Sequence, residues 1–136
     1  MIIYSIGHST RSIQEFIAIL RKYKIEILAD IRRFPTSKFE QFKKDNLEKA
    51  LKRAGIKYVH LESLGGYRGG YEKYMKSKEW KKGYEKLKEL ALKKRVAFMC
   101  AEKFPFRCHR RWVARKLRSE DWEVTHILND KIWMEK

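Results

Sequence analysis

Cysteine is scarce in this chain: there are two, Cys100 and Cys108. A disulfide scaffold needs more, so the pair reads as reduced, catalytic or metal-bound. A bond between the two stays open as an alternative, because disulfides do form inside hyperthermophile cells. Proline is limited to Pro35 and Pro105, and no linker or low-complexity tract divides the chain. No apolar run approaches the ~18 residues that cross a bilayer. Met1–Ile6 lacks the basic region and long apolar core of a signal peptide. The expectation is a soluble, cytoplasmic protein with no membrane partner. Side-chain amides are confined to Gln14, Gln41, Asn46 and Asn129, a thermophile-like depletion. Acidic residues are also few, 17 against 33 Lys and Arg, leaving a formal charge of +16. Work at high temperature accounts for many charges but not for one sign. Such an excess draws polyanions through counterion release. An anionic ligand, nucleotide or nucleic acid, is the expected partner.

What is present suits one domain: 136 residues, 43% of them hydrophobic. Residues 2–6 are apolar enough for a strand. Ile13, Phe16, Ile17 and Leu20 repeat at helical spacing, with Ser9, Thr10 or Ser12 available as caps. Strands are expected at 25–31, 56–61, 95–100 and 122–128. Helices are expected around Leu47–Ala54, over 71–94 with a break near Ser77, and from Cys108 to about Ser119. The tail to Lys136 is left without an element. This alternation predicts a single three-layer α/β domain, Rossmann-like, with a mostly parallel sheet of about five strands flanked by helices.

Such sheets bind ligands beyond the carboxyl ends of their strands. There the sequence places Gly7, His8 and Ser9; Asp30, Arg32 and Arg33; His60, Gly65 and Gly66; and Cys100, Glu102, Cys108, His109 and Arg110. All four histidines and both cysteines fall on or near that edge, which scattered structural residues would not favour. Cys108 opens a helix amid basic neighbours, a setting that lowers a thiol pKa. It is a candidate nucleophile or redox thiol, or simply a small residue at a helix start. Cys100 ends a buried strand as inert packing, a resolving thiol or a ligand. Glu102 and His8 are acid–base candidates; a salt bridge of Glu102 to Arg110 or Arg32, and a turn bond for His8, are the plainer readings. Asp30 binds substrate or pairs with a nearby arginine. Arg32, Arg110, His109 and the backbone around Gly7, Ser9, Gly65 and Gly66 would hold the anion. His109 is otherwise exposed or paired with a carboxylate. Cys100, Cys108 and His109 would also make a sound zinc set, at an uncommon spacing. Neither a P-loop nor a dinucleotide fingerprint is present, so no cofactor is named. In the stretch from Lys73 to Lys94, Trp80 and Tyr84 sit at core spacing.

Ile6-Gly7-His8-Ser9, Ala29-Asp30-Ile31-Arg32 with Pro35 and Ser37, Leu64-Gly65-Gly66, Cys100-Ala101-Glu102 and Cys108-His109-Arg110 follow one another across residues 4–127. In these motifs and their order the chain resembles domain-of-unknown-function family 488. The resemblance implies an α/β domain with one shared site built from the motifs, and carries no reaction with it. Three functions stay open: an enzyme acting on a phosphate-bearing substrate, a non-catalytic nucleic-acid-binding module, and a metal- or redox-responsive regulator using both cysteines.

Overall fold

Apolar residues alternate along the strands, and the alternation sorts them onto two faces of one sheet. The computed structural model describes residues 1–67, 69–128 and 131–135. Within them run β1 (Ile2–Gly7), α1 (Ile13–Lys22), β2 (Ile27–Asp30), α2 (Lys44–Arg53), β3 (Lys57–His60), α3 (Tyr71–Tyr74), α4 (Lys78–Lys93), β4 (Val96–Cys100), α5 (Arg110–Ser119), β5 (Glu123–Ile127) and β6 (Ile132–Met134). Local chemistry sets the boundaries. Ser12 caps α1 in a reciprocal box with Glu15. Gly55, at φ +77°, takes the chain out of α2. Ser77 accepts the Trp80 amide and so starts α4 as a helix separate from α3, the break expected near Ser77.

The strand order is β3-β2-β4-β1-β5-β6. The first five run parallel. β6 pairs antiparallel with β5; it is a sixth strand where the sequence suggested a plain tail. Val96 and Phe98 of β4 pack in one cluster with Leu87 of α4 and Leu117 of α5. Ala97 and Met99 pack in the other with Phe16 of α1 and Leu47 of α2. The domain is therefore a helix–sheet–helix sandwich. Trp80 and Tyr84 belong to the core, as their spacing predicts. No helix of the described residues is long and apolar enough to cross a membrane.

The topology fixes where a ligand can enter. From β1 the chain passes to β2 and then to the edge strand β3; it returns to β4 and crosses β1 to reach β5. The helices after β2 and β4 thus cover opposite faces. At the carboxyl ends of these neighbours the connections diverge and leave a crevice.

Candidate active site

Strand alternation sets the faces of the key side chains before any contact is considered. Cys100 follows Val96 and Phe98 onto the α4/α5 face. By the same period of two, Ser5 follows Ile3, and His126 follows Val124. Cys100 and Ser5 meet Arg110, in the first turn of α5, and His126 lies behind Ser5. Arg110 is completely buried. Its Nε donates to the sulfurs of both Cys100, at 3.1 Å, and Cys108, at 3.2 Å. Nη1 donates to Ser5 Oγ at 3.1 Å. Nη2 donates to the carbonyls of Glu102, at 2.5 Å, and Lys103, at 3.2 Å. Ser5 in turn bonds His126 Nδ1.

The two sulfurs lie 2.8 Å apart, both free, with the Cys100 thiol donating to Cys108. The Arg110 amide, at the start of α5, points at Cys108 Sγ from 3.4 Å. These groups divide the pair. The bond from Cys100 lowers Cys108 to about 6; burial opposes this, and the Arg110 charge and amide add to it. Burial, and then donation to Cys108, push Cys100 well above the ordinary thiol range. The arrangement holds one thiolate and one thiol side by side near neutral pH. The helix itself begins two residues later than expected, with His109 as its N-cap. Cys108 therefore precedes the first turn instead of belonging to it.

Beside this pair stands a second buried arginine. Asp30 Oδ1 accepts from the Arg32 amide at 3.1 Å and from its Nε at 2.9 Å, while Oδ2 accepts from Nη2 at 2.7 Å. Tyr58 donates its hydroxyl to the same Oδ2 at 2.5 Å. Arg32 Nη1 reaches the carbonyls of Phe42, at 2.8 Å, and Thr36, at 3.3 Å. This is the paired reading of Asp30: the carboxylate and the guanidinium hold each other and pin the loop after β2.

Two cavities of about 550 Å³ each open on this edge and share Thr36, Ala101 and Glu102 as a partition. The first contains Cys100, Cys108 and His109, with Phe34 and Tyr67 as aromatic walls. The second contains His8, Ser9, Ser37, Lys38, Lys103 and Arg107. His8 stacks on Phe42 with ring centroids 4.3 Å apart and donates Nδ1–H to the Ser9 carbonyl at 2.9 Å. Burial lowers it to about 4, so the ring is neutral and its Nε2 is an acceptor. That Nε2 is buried without a hydrogen-bond partner. His109 likewise is neutral, lowered to about 4 by burial; its Nε2 donates to the Ile31 carbonyl at 2.9 Å. It is neither fully exposed nor paired with a carboxylate. A larger cavity of about 920 Å³ runs along α4; of the residues that the sequence places at the sheet edge, Arg33 and His60 line it.

Most of the predicted residues converge here, in more than one role. Cys108, Glu102 and His8 line the two chambers, with Glu102 on their partition. Arg110 bonds the Glu102 carbonyl, and no ion pair involves the Glu102 carboxylate among the described residues. Gly7 is a packing requirement: a Cβ there would sit 1.7 Å from the Glu102 carbonyl oxygen. Gly65 is another. Its Cβ would meet the Arg33 backbone at 2.3 Å, and its N–H is given to Glu62 at 2.9 Å. Gly66 lines the first chamber and Ser9 the second. Among the described residues no group of three His, Cys, Asp or Glu could hold a metal ion, so Cys100, Cys108 and His109 do not assemble as a zinc set. Sequence reasoning did not single out Ser5, Tyr58, Phe34, Tyr67, Lys38 or Lys103. The first two resemble ordinary strand residues. An aromatic before Pro35 and one among the loop glycines were the visible hints for Phe34 and Tyr67.

A family model described as Domain of unknown function DUF488 matches residues 12–117. The match covers every motif behind the resemblance except Ile6-Gly7-His8-Ser9. No curated protein and no solved structure matches the chain.

Proposed function

We propose, for a chain that belongs to the family described as Domain of unknown function DUF488, a thiol-dependent enzyme whose nucleophile is Cys108 and whose substrate carries phosphate. The observation behind this reading is the asymmetry of the thiol pair: a half-buried Cys108 lowered to about 6 beside a buried, protonated Cys100, on the wall of a cavity. A thiolate is the reactive form of cysteine. Here Arg110 and the α5 amide stabilise it, and Cys100 donates to it. The sulfur lone pair would form a covalent bond to an electrophilic atom of the substrate while that atom's bond to its leaving group breaks. The leaving group departs with the bonding pair and picks up a proton, and water would then displace the thiolate. Glu102, on the partition, would take or return the proton that the substrate exchanges. His8, held neutral, lines the second chamber and carries its proton on Nδ1. The cations for phosphate are Lys38, Lys103 and Arg107, which line that chamber; Arg32 and Arg110 are engaged with the protein. Thiols of this kind need a reducing compartment, so the proposal places the protein in the cytoplasm.

The test is the pH dependence of alkylation at each cysteine, read by mass spectrometry on native protein. Cys108 should react with a midpoint near 6, and Cys100 hardly at all. A Cys108 midpoint at the ~8.5 of an ordinary thiol would sink the reading.

The 2.8 Å sulfur separation supports a second reading, a redox-responsive regulator. In that case the two thiols give up two electrons and two protons to a peroxide or disulfide oxidant and close a bond. Mild peroxide would then protect both cysteines from alkylation in the subsequently denatured protein, and a phosphine reductant would restore them. Protection of Cys108 alone speaks against it.

A further inference from the structure

We propose that the two chambers together hold one nucleotide unit of a single-stranded nucleic acid, the base between Phe34 and Tyr67 beside the thiols, and the adjoining phosphate against Lys38, Lys103 and Arg107. The inference rests on the thiolate reading in one respect: it supplies that site with a substrate.

Four observations lead to it. Phe34 is 76% exposed and Tyr67 51%, although the core is full of better places for aromatic rings. Exposed aromatics grouped at a cavity mark a binding surface more than a packing accident. Tyr67 is also held ready. It stacks on Tyr74 with centroids 4.5 Å apart, and the Arg33 guanidinium lies 5.6 Å from its ring centre. A fixed, exposed ring is what a nucleobase stacks on without sequence preference. Next, the chambers divide by chemistry. Phe34, Tyr67 and the thiols line one, with Arg32 and Arg33, engaged elsewhere, in its wall; hydroxyls and the cations Lys38, Lys103 and Arg107 line the other, with Phe39 and Phe104; Glu102 stands between them. A base joined to phosphate has the same division. Third, the buried Nε2 of His8 is an acceptor with no partner, which a ribose 2′-hydroxyl of the strand, and not its phosphate, could satisfy. Last, a chain of formal charge +16 attracts a polyanion along its whole length. Further exposed rings, Phe104 and Phe106, stack on each other at the rim beneath Lys103 and Arg107. They extend the surface past a single nucleotide and favour a strand over a free mononucleotide.

The experiment is fluorescence anisotropy with a labelled twelve-nucleotide single strand of mixed sequence. It is compared with the same strand as a duplex, with an abasic sugar–phosphate strand of equal length, and with nucleoside monophosphates as competitors. The single strand should bind roughly 5- to 150-fold more tightly than the abasic strand, the range for one stacked base. Phe34→Ala and Tyr67→Ala should each remove most of that advantage; Phe34 is too exposed for its loss to unfold the chain. Lys38→Ala should reduce the slope of log Kd against log salt by about 1 and leave the base dependence intact. Equal affinity for the abasic strand or the duplex would overturn the proposal and leave charge alone as the attraction. Mononucleotides competing as well as the strand, nucleotide for nucleotide, would overturn the strand assignment. The thiolate reading fails separately. An ordinary alkylation midpoint with base-dependent binding removes the nucleophile and keeps the nucleotide site, and a midpoint near 6 without base dependence does the reverse.

Discussion

Two buried arginines stand two residues after an anionic group, one beyond β2 and one beyond β4. Arg32 faces Asp30, and Arg110 faces Cys108. Both guanidiniums are nearly or wholly removed from solvent, and both also bind loop carbonyls, those of Thr36 and Phe42 in one case and of Glu102 and Lys103 in the other. The pairs differ in what remains of the anion. Asp30 is completely buried, and its two oxygens take three bonds from Arg32 and one from Tyr58. Cys108 is only half-buried and forms part of a cavity wall. The same charge pairing makes a clamp where the anion is saturated and a reactive group where one side stays open. An ion pair alone is weak grounds for function; saturation is the discriminating feature.

The widest gap between the two regions is expected in acid. The open edge is bordered by His8 and His109, each held neutral and lowered to about 4 by burial, and His126 behind Arg110 is lowered to about 3 for the same reason. In the unfolded chain such rings take up a proton near 6.5. Between pH 6.5 and 4 the unfolded state therefore binds more protons, and stability falls as pH falls. The contribution is complete above 6.5 and declines by about 3 kcal/mol per ring by pH 4. Urea midpoints between pH 7 and pH 4 should show the fall, and His109→Asn should shrink it. A flat profile would contradict the neutral assignment of these rings.

Next in size is Asp30→Asn. It leaves Arg32 buried without its charge partner, at roughly 3–5 kcal/mol, yet it should leave the Cys108 alkylation midpoint near 6. If that midpoint moves as well, the two arginine sites are one coupled network and the contrast between them fails. Denaturation and alkylation on one sample decide it.

The sequence carried this site further than its roles. Period-two strands and period-3.6 helices made the parallel sheet legible, and the sheet rule then brought His8, Glu102, Cys100 and Cys108 to one edge. β6 was not legible, because three exposed residues, Ile132, Trp133 and Met134, show no alternation. Nor was the division of labour among the arginines. Whether Arg32 or Arg110 faces solvent depends on Tyr58, Ser5 and the carbonyls of distant loops, none of which spacing along the chain reveals. Gly7 and Gly65 were visible as glycines, but the collisions that require them, with Glu102 and Arg33, are tertiary.

The smallest expected effect is the most specific. The bond from Cys100 is the leading cause of the low Cys108 value, ahead of the Arg110 charge. Cys100→Ala removes the donor and should raise the Cys108 alkylation midpoint by about one pH unit, or ~1.4 kcal/mol. Cys100→Ser keeps a donor in place and should hold the midpoint close to 6. The pair of variants separates two origins of the thiolate. A midpoint that rises in the Ala variant and stays in the Ser variant assigns it to hydrogen bonding across the sulfur pair. A midpoint unchanged in both assigns it to Arg110 and the α5 amide, and Cys108 would then rely on its arginine alone, as Asp30 does not.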